Sequence, residues 1–463
     1  MEASGIAATA IVRLYPFCTS RLTGITVTRT ISIILTLLCL SSADVKAADR
    51  WSSFQNGGRV SQPADRPLQP GEISWDVELR GYGQSSPVVR DEHIYVTTVE
   101  GPNKDNYHIT AFALKDGSRL WQQSVANPSP QENNTYVSRS APSPVTDESG
   151  VVCFFEGGIV VAFDHEGNQR WKRDLVADYG SVAARHGLSS SLEQDKDSIF
   201  VWVERSEDPY VLRLKKADGE TMWKAVGAGA TSWASPRLIP VEDGIQLVLS
   251  AIGSLTGLDV ETGRQLWKFE DISGNSTPTP MPLGDGRFLI GATVGRGESG
   301  AGRAAESNGV IQIQRRADGQ WLVDYAWRAK RATSSFGSPI VHNNTALFVN
   351  REGVLYGLNA KDGKERFVRR LKGSSWATPV GCGSQVFFFG RDGKVDSLSE
   401  MTASGTLTTW DELPKPLPTP AAEGRRPSFF SGPVLYAAVW CGDSLLLRRG
   451  DHLFNVELES VNE

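Results

Sequence analysis

The side chains most able to do chemistry are scattered along the chain. The six histidines (His93, His108, His165, His186, His342, His452) show no H-x-x-x-H or H-E-x-x-H spacing, so no helix can present a metal-ligating pair. No G-x-S-x-G nucleophile elbow occurs. Cys153, Cys382 and Cys441 have no C-x-x-C spacing. Small buried hydrophobes is their simplest reading. The residues that do recur with a spacing are aromatic. Trp233, Phe336 and Trp376 each stand three residues before a proline, and Gln84 and Asn275 hold that position in other copies. Arg139 and Arg185 lie just ahead of two further copies. Flat aromatic faces beside guanidinium groups suit peptides, sugars or an anionic aromatic ligand. The plainer alternative is that these aromatics only pack between neighbouring strands.

What must position them is a repeat. A strand, a turn holding an acidic residue and Gly, and an aromatic four residues beyond the Gly recur. They end at Trp121, Trp171, Trp223, Trp267 and Phe367 after Gly117, Gly167, Gly219, Gly263 and Gly363. The copy around Gly405 reaches Trp410 one residue late. The copy with Asp318-Gly319 has Val323 where the aromatic is expected. Gly supplies the positive φ of a tight hairpin without steric cost. Alternation such as Ile94-Tyr95-Val96-Thr97 reads as strand. Six copies open on Ser-Pro or Thr-Pro, as in GQSSPVV (83–89), SWASPRL (232–238) and SWATPV (375–380). A Pro is tolerated at the first residue of a strand.

A period of about 40 to 60 residues is that of propeller blades. The expectation is an all-β, eight-bladed propeller of four-stranded antiparallel blades over residues 73–460. Seven blades is the alternative, because the third and eighth copies are degenerate. The last copy lacks its closing strand. ISWDVEL (73–79) has the character to supply it, with Trp75 as the missing aromatic. Ring closure by the two chain ends follows. Residues 48–72 read as a polar strap. Gly295 to Asn308 reads as a mobile loop, and Pro414 to Arg426 as an extended crossing.

Residues 1–47 read as an export signal. Arg21 and Arg29 precede the apolar run Ile31 to Leu40, and Val45-Lys46-Ala47 offers a cleavage site after Ala47. The apolar run is too short for a transmembrane helix. Cys39 follows Leu38, which is not the small residue that lipid attachment wants. The 463 residues carry a formal charge of −5 with no basic stripe, which argues against nucleic acid as partner.

LDVETGRQLW (258–267), its partial copies and the opening WSSFQNGG (51–58) together resemble the pyrroloquinoline-quinone-like repeat family. That family includes quinoprotein alcohol dehydrogenases and the outer-membrane assembly factor BamB. The resemblance covers roughly residues 51–458. It implies the propeller fold, and leaves function open because one propeller hosts many roles. A quinoprotein dehydrogenase would need Ca²⁺ held by six to eight oxygens, a catalytic Asp and commonly a vicinal disulfide. This sequence has no adjacent Cys pair, and its repeat Asp residues sit in turns. The expectation is therefore a non-enzymatic, BamB-like binding scaffold in the cell envelope with protein partners, no catalytic or metal-ligating residues and no cofactor. The alternatives are a dehydrogenase using pyrroloquinoline quinone with calcium, and a carbohydrate- or peptide-binding propeller.

Overall fold

The computed structural model describes residues 50–134, 137–184, 186–227, 229, 233–293, 302–415 and 434–461. Eight antiparallel sheets follow one another, and each is a propeller blade. Blade 2 illustrates the plan, with strands Val145–Asp147, Gly150–Phe155, Ile159–Phe163 and Gln169–Asp174 running outward from the axis. The two middle strands are buried along their whole length. Neighbouring blades cover both of their faces, so they read as unbroken apolar runs. Outer strands cover one face only and alternate, as Thr221–Val226 does.

The ring closes as expected. Leu68–Glu78 is the outermost strand of blade 8 and pairs antiparallel with His452–Ser460, with Trp75 opposite Asn455. This strand begins at Leu68, inside the stretch assigned to the strap. Pairing the ends satisfies the edges that an open blade would leave bare.

The Gly-to-aromatic motif holds the blades together. Trp75 lies against Gly117 of blade 1, and its indole N–H donates to Leu114 O at 3.1 Å. Trp121, Trp171, Trp223 and Trp327 repeat this toward His165, Lys216, Val260 and Ala360 at 2.8 to 2.9 Å. Gly117 has φ 68°, and a Cβ there would stand 2.6 Å from the Trp75 ring. Gly is thus required twice, for its turn and for the ring stacked on it. In blade 5 the docking aromatic is Trp327, not a residue at Val323, because the outer hairpin is longer there. A bulge falls at Trp327 as it does at Trp121. Blade 4 departs from the motif. Trp267 donates to Gln246 Oε1 of its own blade at 2.6 Å, and Gly319 of blade 5 has no atom within 4 Å of its would-be Cβ.

Two expected loops need comment. Within Gly295 to Asn308, Gly302–Glu306 is a short helix, and Asn308 is fully buried. The Asn308 amide donates to Ala292 O and Ala304 O. This end of the segment is packed because Asn308 saturates the backbone around it. Residues 294–301 and most of the Pro-rich crossing (416–426) lie outside the described residues, as does the expected signal segment 1–47.

Candidate binding cleft at the channel mouth

The Ser-Pro signature explains itself at the axis. The first N–H groups of the innermost strands face the channel and need acceptors. The Ser or Thr at the strand start, which precedes Pro in every belt copy but that of Ser191, supplies one to its neighbour. Ser86 N donates to Ser143 Oγ, Ser143 N to Ser191 Oγ and Ser191 N to Ser235 Oγ, at 2.8 to 3.0 Å. Ser235 N then donates to Thr279 Oγ1, Thr279 N to Ser338 Oγ and Ser338 N to Thr378 Oγ1, at 2.8 to 3.2 Å. The result is a belt of hydroxyls from blade 1 to blade 7.

Below the belt the channel is sealed. Arg50–Trp51 pairs with the inner strand of blade 1, and Ser61–Gln62 with that of blade 7. Between them Phe54–Gly58 crosses the axis. Gln55 Nε2 donates to Ser338 Oγ and Thr378 Oγ1 of the belt, at 2.9 and 2.8 Å. Its Oε1 accepts from Arg237, which also pairs with Glu193 at 3.0 Å, both ions buried. WSSFQNGG is therefore a plug whose Gln55 is matched to the channel wall.

Above the belt the channel opens into a cleft of about 810 Å³. Gln84, Trp233, Phe336 and Trp376 line it, with Tyr436 from blade 8 and Phe54 of the plug. Phe336 and Trp376 are ring neighbours, with centroids 4.3 Å apart, and Trp376 meets Tyr436 edge-on at 6.0 Å. Trp233 meets His186 at 5.5 Å on another wall. These rings are half-buried. Arg351 and Arg391 occupy the same rim turn of consecutive blades, each with its guanidinium carbon 5.5 Å from its blade's aromatic, Phe336 or Trp376. Burial lowers the Arg391 pKa, opposed by the phenols of Tyr436 and Tyr82.

Asn275 is not in this ring. Its side chain is fully buried and donates to Ser250 Oγ and Ser254 O, while accepting from Gly253 N. Asn-Ser-Thr-Pro-Thr-Pro holds two prolines, and the belt uses Thr279 before Pro280. The lining position of blade 5 accordingly falls on Thr277. Arg139 is half-buried beside the cleft, its guanidinium 3.5 Å over the Tyr82 ring, and its backbone N–H donates to Gln84 Oε1. Arg185 lies outside the described residues. Sequence reasoning missed Tyr436, because the eighth copy has no Pro to align on. It also missed Arg351 and Arg391, although Arg-Glu-Gly (351–353) and Arg-Asp-Gly (391–393) recur one blade apart.

The carboxylates around the cleft do not form a cation cage. Glu156 is buried against Lys104 at 3.5 Å and accepts from Ser140 N. Glu204 is buried and accepts from Ser189 N and Ser190 N. Burial pushes the Glu204 carboxyl well above the ordinary carboxylate range. Glu352 is exposed on the rim. Among the described residues no three His, Cys, Asp or Glu side chains converge as metal ligands. The described residues thus assemble no cluster of carboxylates of the kind calcium favours.

The family model for the outer membrane protein assembly factor BamB matches residues 68–202, 207–295 and 307–438. The chain belongs to this BamB family. No curated protein matches it by sequence. BamB of Moraxella catarrhalis superposes with a TM-score of 0.55 at 12% identity, covering 84% of this chain and 100% of that one. A europium-containing methanol dehydrogenase superposes with a TM-score of 0.57 at 11% identity, covering 87% of this chain and 89% of that one. The quinohemoprotein alcohol dehydrogenase of Comamonas testosteroni gives 0.55 at 11% identity, covering 88% of this chain and 80% of that one. At such identities BamB and the dehydrogenases alike share the propeller fold with this chain.

Proposed function

We propose that this chain is an exported binding protein of the cell envelope, a BamB-like scaffold that captures a segment of a partner protein in the aromatic cleft. One observation carries the reading: the half-buried rings of Trp233, Phe336, Trp376 and Tyr436 share a cleft whose lower end is sealed by Phe54. Rings partly exposed in a concave site cost free energy unless an apolar surface covers them. A propeller plugged at one end cannot pass a ligand through, so it holds one. Family membership supports an assembly role, and residues 1–47 carry the export features. Among the described residues no helix is long and apolar enough to cross a membrane.

The test is a titration of the purified chain followed by intrinsic fluorescence and melting temperature. Two of the cleft rings are tryptophans. A peptide bearing two aromatic residues should quench the signal and raise the melting temperature by linkage. Trp376→Ala should weaken that binding by at least about tenfold. Saturation instead by pyrroloquinoline quinone with calcium, or by an oligosaccharide, would replace the protein-scaffold reading with the dehydrogenase or the carbohydrate one.

A further inference from the structure

We propose that the cleft recognises a carboxylate on its protein ligand, received by the Tyr436 hydroxyl and the Gln84 amide, with Arg139, Arg391 and Arg448 close to that pair. This rests on the peptide-binding reading and names the chemistry of the peptide. Tyr436 and Gln84 both line the cleft. The Tyr436 hydroxyl lies 2.9 Å from the Tyr82 hydroxyl, and Gln84 Nε2 donates to Tyr436 at 3.3 Å. Two phenols that share one hydrogen bond keep one proton to give away, and the Gln84 amide keeps its second hydrogen.

Three guanidinium groups stand near this pair. Arg139 covers the Tyr82 ring at 3.5 Å, and among the described residues its buried Nε has no partner. Arg391 stands over Trp376, which meets Tyr436. Arg448 lies behind both tyrosines and is fully buried. Its Nη2 donates to Thr97 O, and among the described residues its Nε and Nη1 have no partner. Asp451, an acid that acts on Arg448, is already engaged by Arg449 at 3.2 Å and His452 at 3.0 Å. A guanidinium buried without a counter-ion is costly, and an arriving anion relieves that cost. Burial also raises the Tyr82 pKa, so that phenol stays protonated and adds no negative charge of its own.

The neighbouring rings say where the carboxylate sits in the ligand. Phe336 and Trp376 adjoin Tyr436, so an apolar side chain resting on them places a carboxylate from the same or the next residue at the arginines. That carboxylate comes either from a chain terminus ending in an aromatic residue or from an acidic side chain beside one.

The probes are three acetylated peptides of equal aromatic content: Gly-Phe-Gly-Phe with a free carboxyl terminus, the same peptide amidated, and the amidated peptide with Asp inserted before the last Phe. Each is titrated by fluorescence against the full mature chain. The inference expects the free-carboxyl or the Asp peptide to bind at least about tenfold more tightly than the amide. Which of the two wins identifies the source of the carboxylate. Arg391→Gln and, independently, Tyr436→Phe should shrink that ratio toward one, because each removes a partner of the carboxylate that the amidated peptide lacks. Their melting temperatures report whether each variant is folded. Equal binding of all three peptides overturns the carboxylate inference and keeps the peptide reading. Binding of none overturns both. Saturation by inorganic phosphate at the same concentrations would overturn the assignment of the carboxylate to a peptide.

Discussion

The two ends of the channel are built from similar residues and differ in how their polar groups are settled. At the plugged end Arg237 meets Glu193, Gln55 and Phe54 O, and Gln55 meets two belt hydroxyls. Among the described residues Arg448, Arg139 and Glu204 at the open end keep buried polar atoms without partners, whereas at the plugged end the Trp51 indole nitrogen does so. A folded chain tolerates unpaired buried polar groups only at a cost. The plugged end therefore serves stability, and the open end holds unsatisfied binding capacity.

That contrast can be broken by substitution. Arg237→Met leaves Glu193 buried and uncompensated, and should cost about 3–5 kcal/mol in urea unfolding. A loss under 1 kcal/mol would mean that the plug is ornamental. Gln55→Ala removes the donor to Ser338 and Thr378 and should cost about 2 kcal/mol. Arg448→Met at the open end should go the other way, from neutral to about 1 kcal/mol more stable, since it removes a buried charge that lacks a counter-ion. Equal losses for Arg237→Met and Arg448→Met would erase the distinction between the two ends.

The smallest effect sharpens the comparison through pH. The native pKa of Glu204 lies above its unfolded value because burial opposes the charge. The folded chain thus holds a proton that the unfolded chain releases. This stabilisation is fully present below the unfolded pKa and is lost as pH rises toward the native one. Glu204→Gln cannot ionise and keeps an acceptor for Ser189 N and Ser190 N. Its melting temperature should gain on the parent chain progressively from pH 5 to pH 8. Parallel curves would show that a counter-charge or a water already settles Glu204.

Much of the fold was legible because its periodicity is local. The Gly four residues before an aromatic sets a turn and a docking ring within one hairpin, so Trp121, Trp171 and Trp223 could be placed from spacing alone. Trp75 could be assigned to blade 8 because its strand had no other home. Trp327 was missed because a longer hairpin breaks the count. Within the cleft, Trp233, Phe336 and Trp376 were readable from their offset to Pro, whereas Asn275 was not, since two prolines compete and only the belt decides between them.

The sequence by itself determined the repeat, the all-β class, the closure by the chain ends and the residues that could face the axis. All of these follow from short-range pattern: turn glycines, strand alternation and one aromatic per hairpin. Only the tertiary structure decided that WSSFQNGG plugs the channel, that Ser86 through Thr378 form one belt, and that Tyr436, Arg391 and Arg448 surround one side of the cleft. Those meetings join residues hundreds of positions apart, such as Gln55 with Thr378. They exist because ring closure brings every inner strand to one axis, which no local pattern encodes.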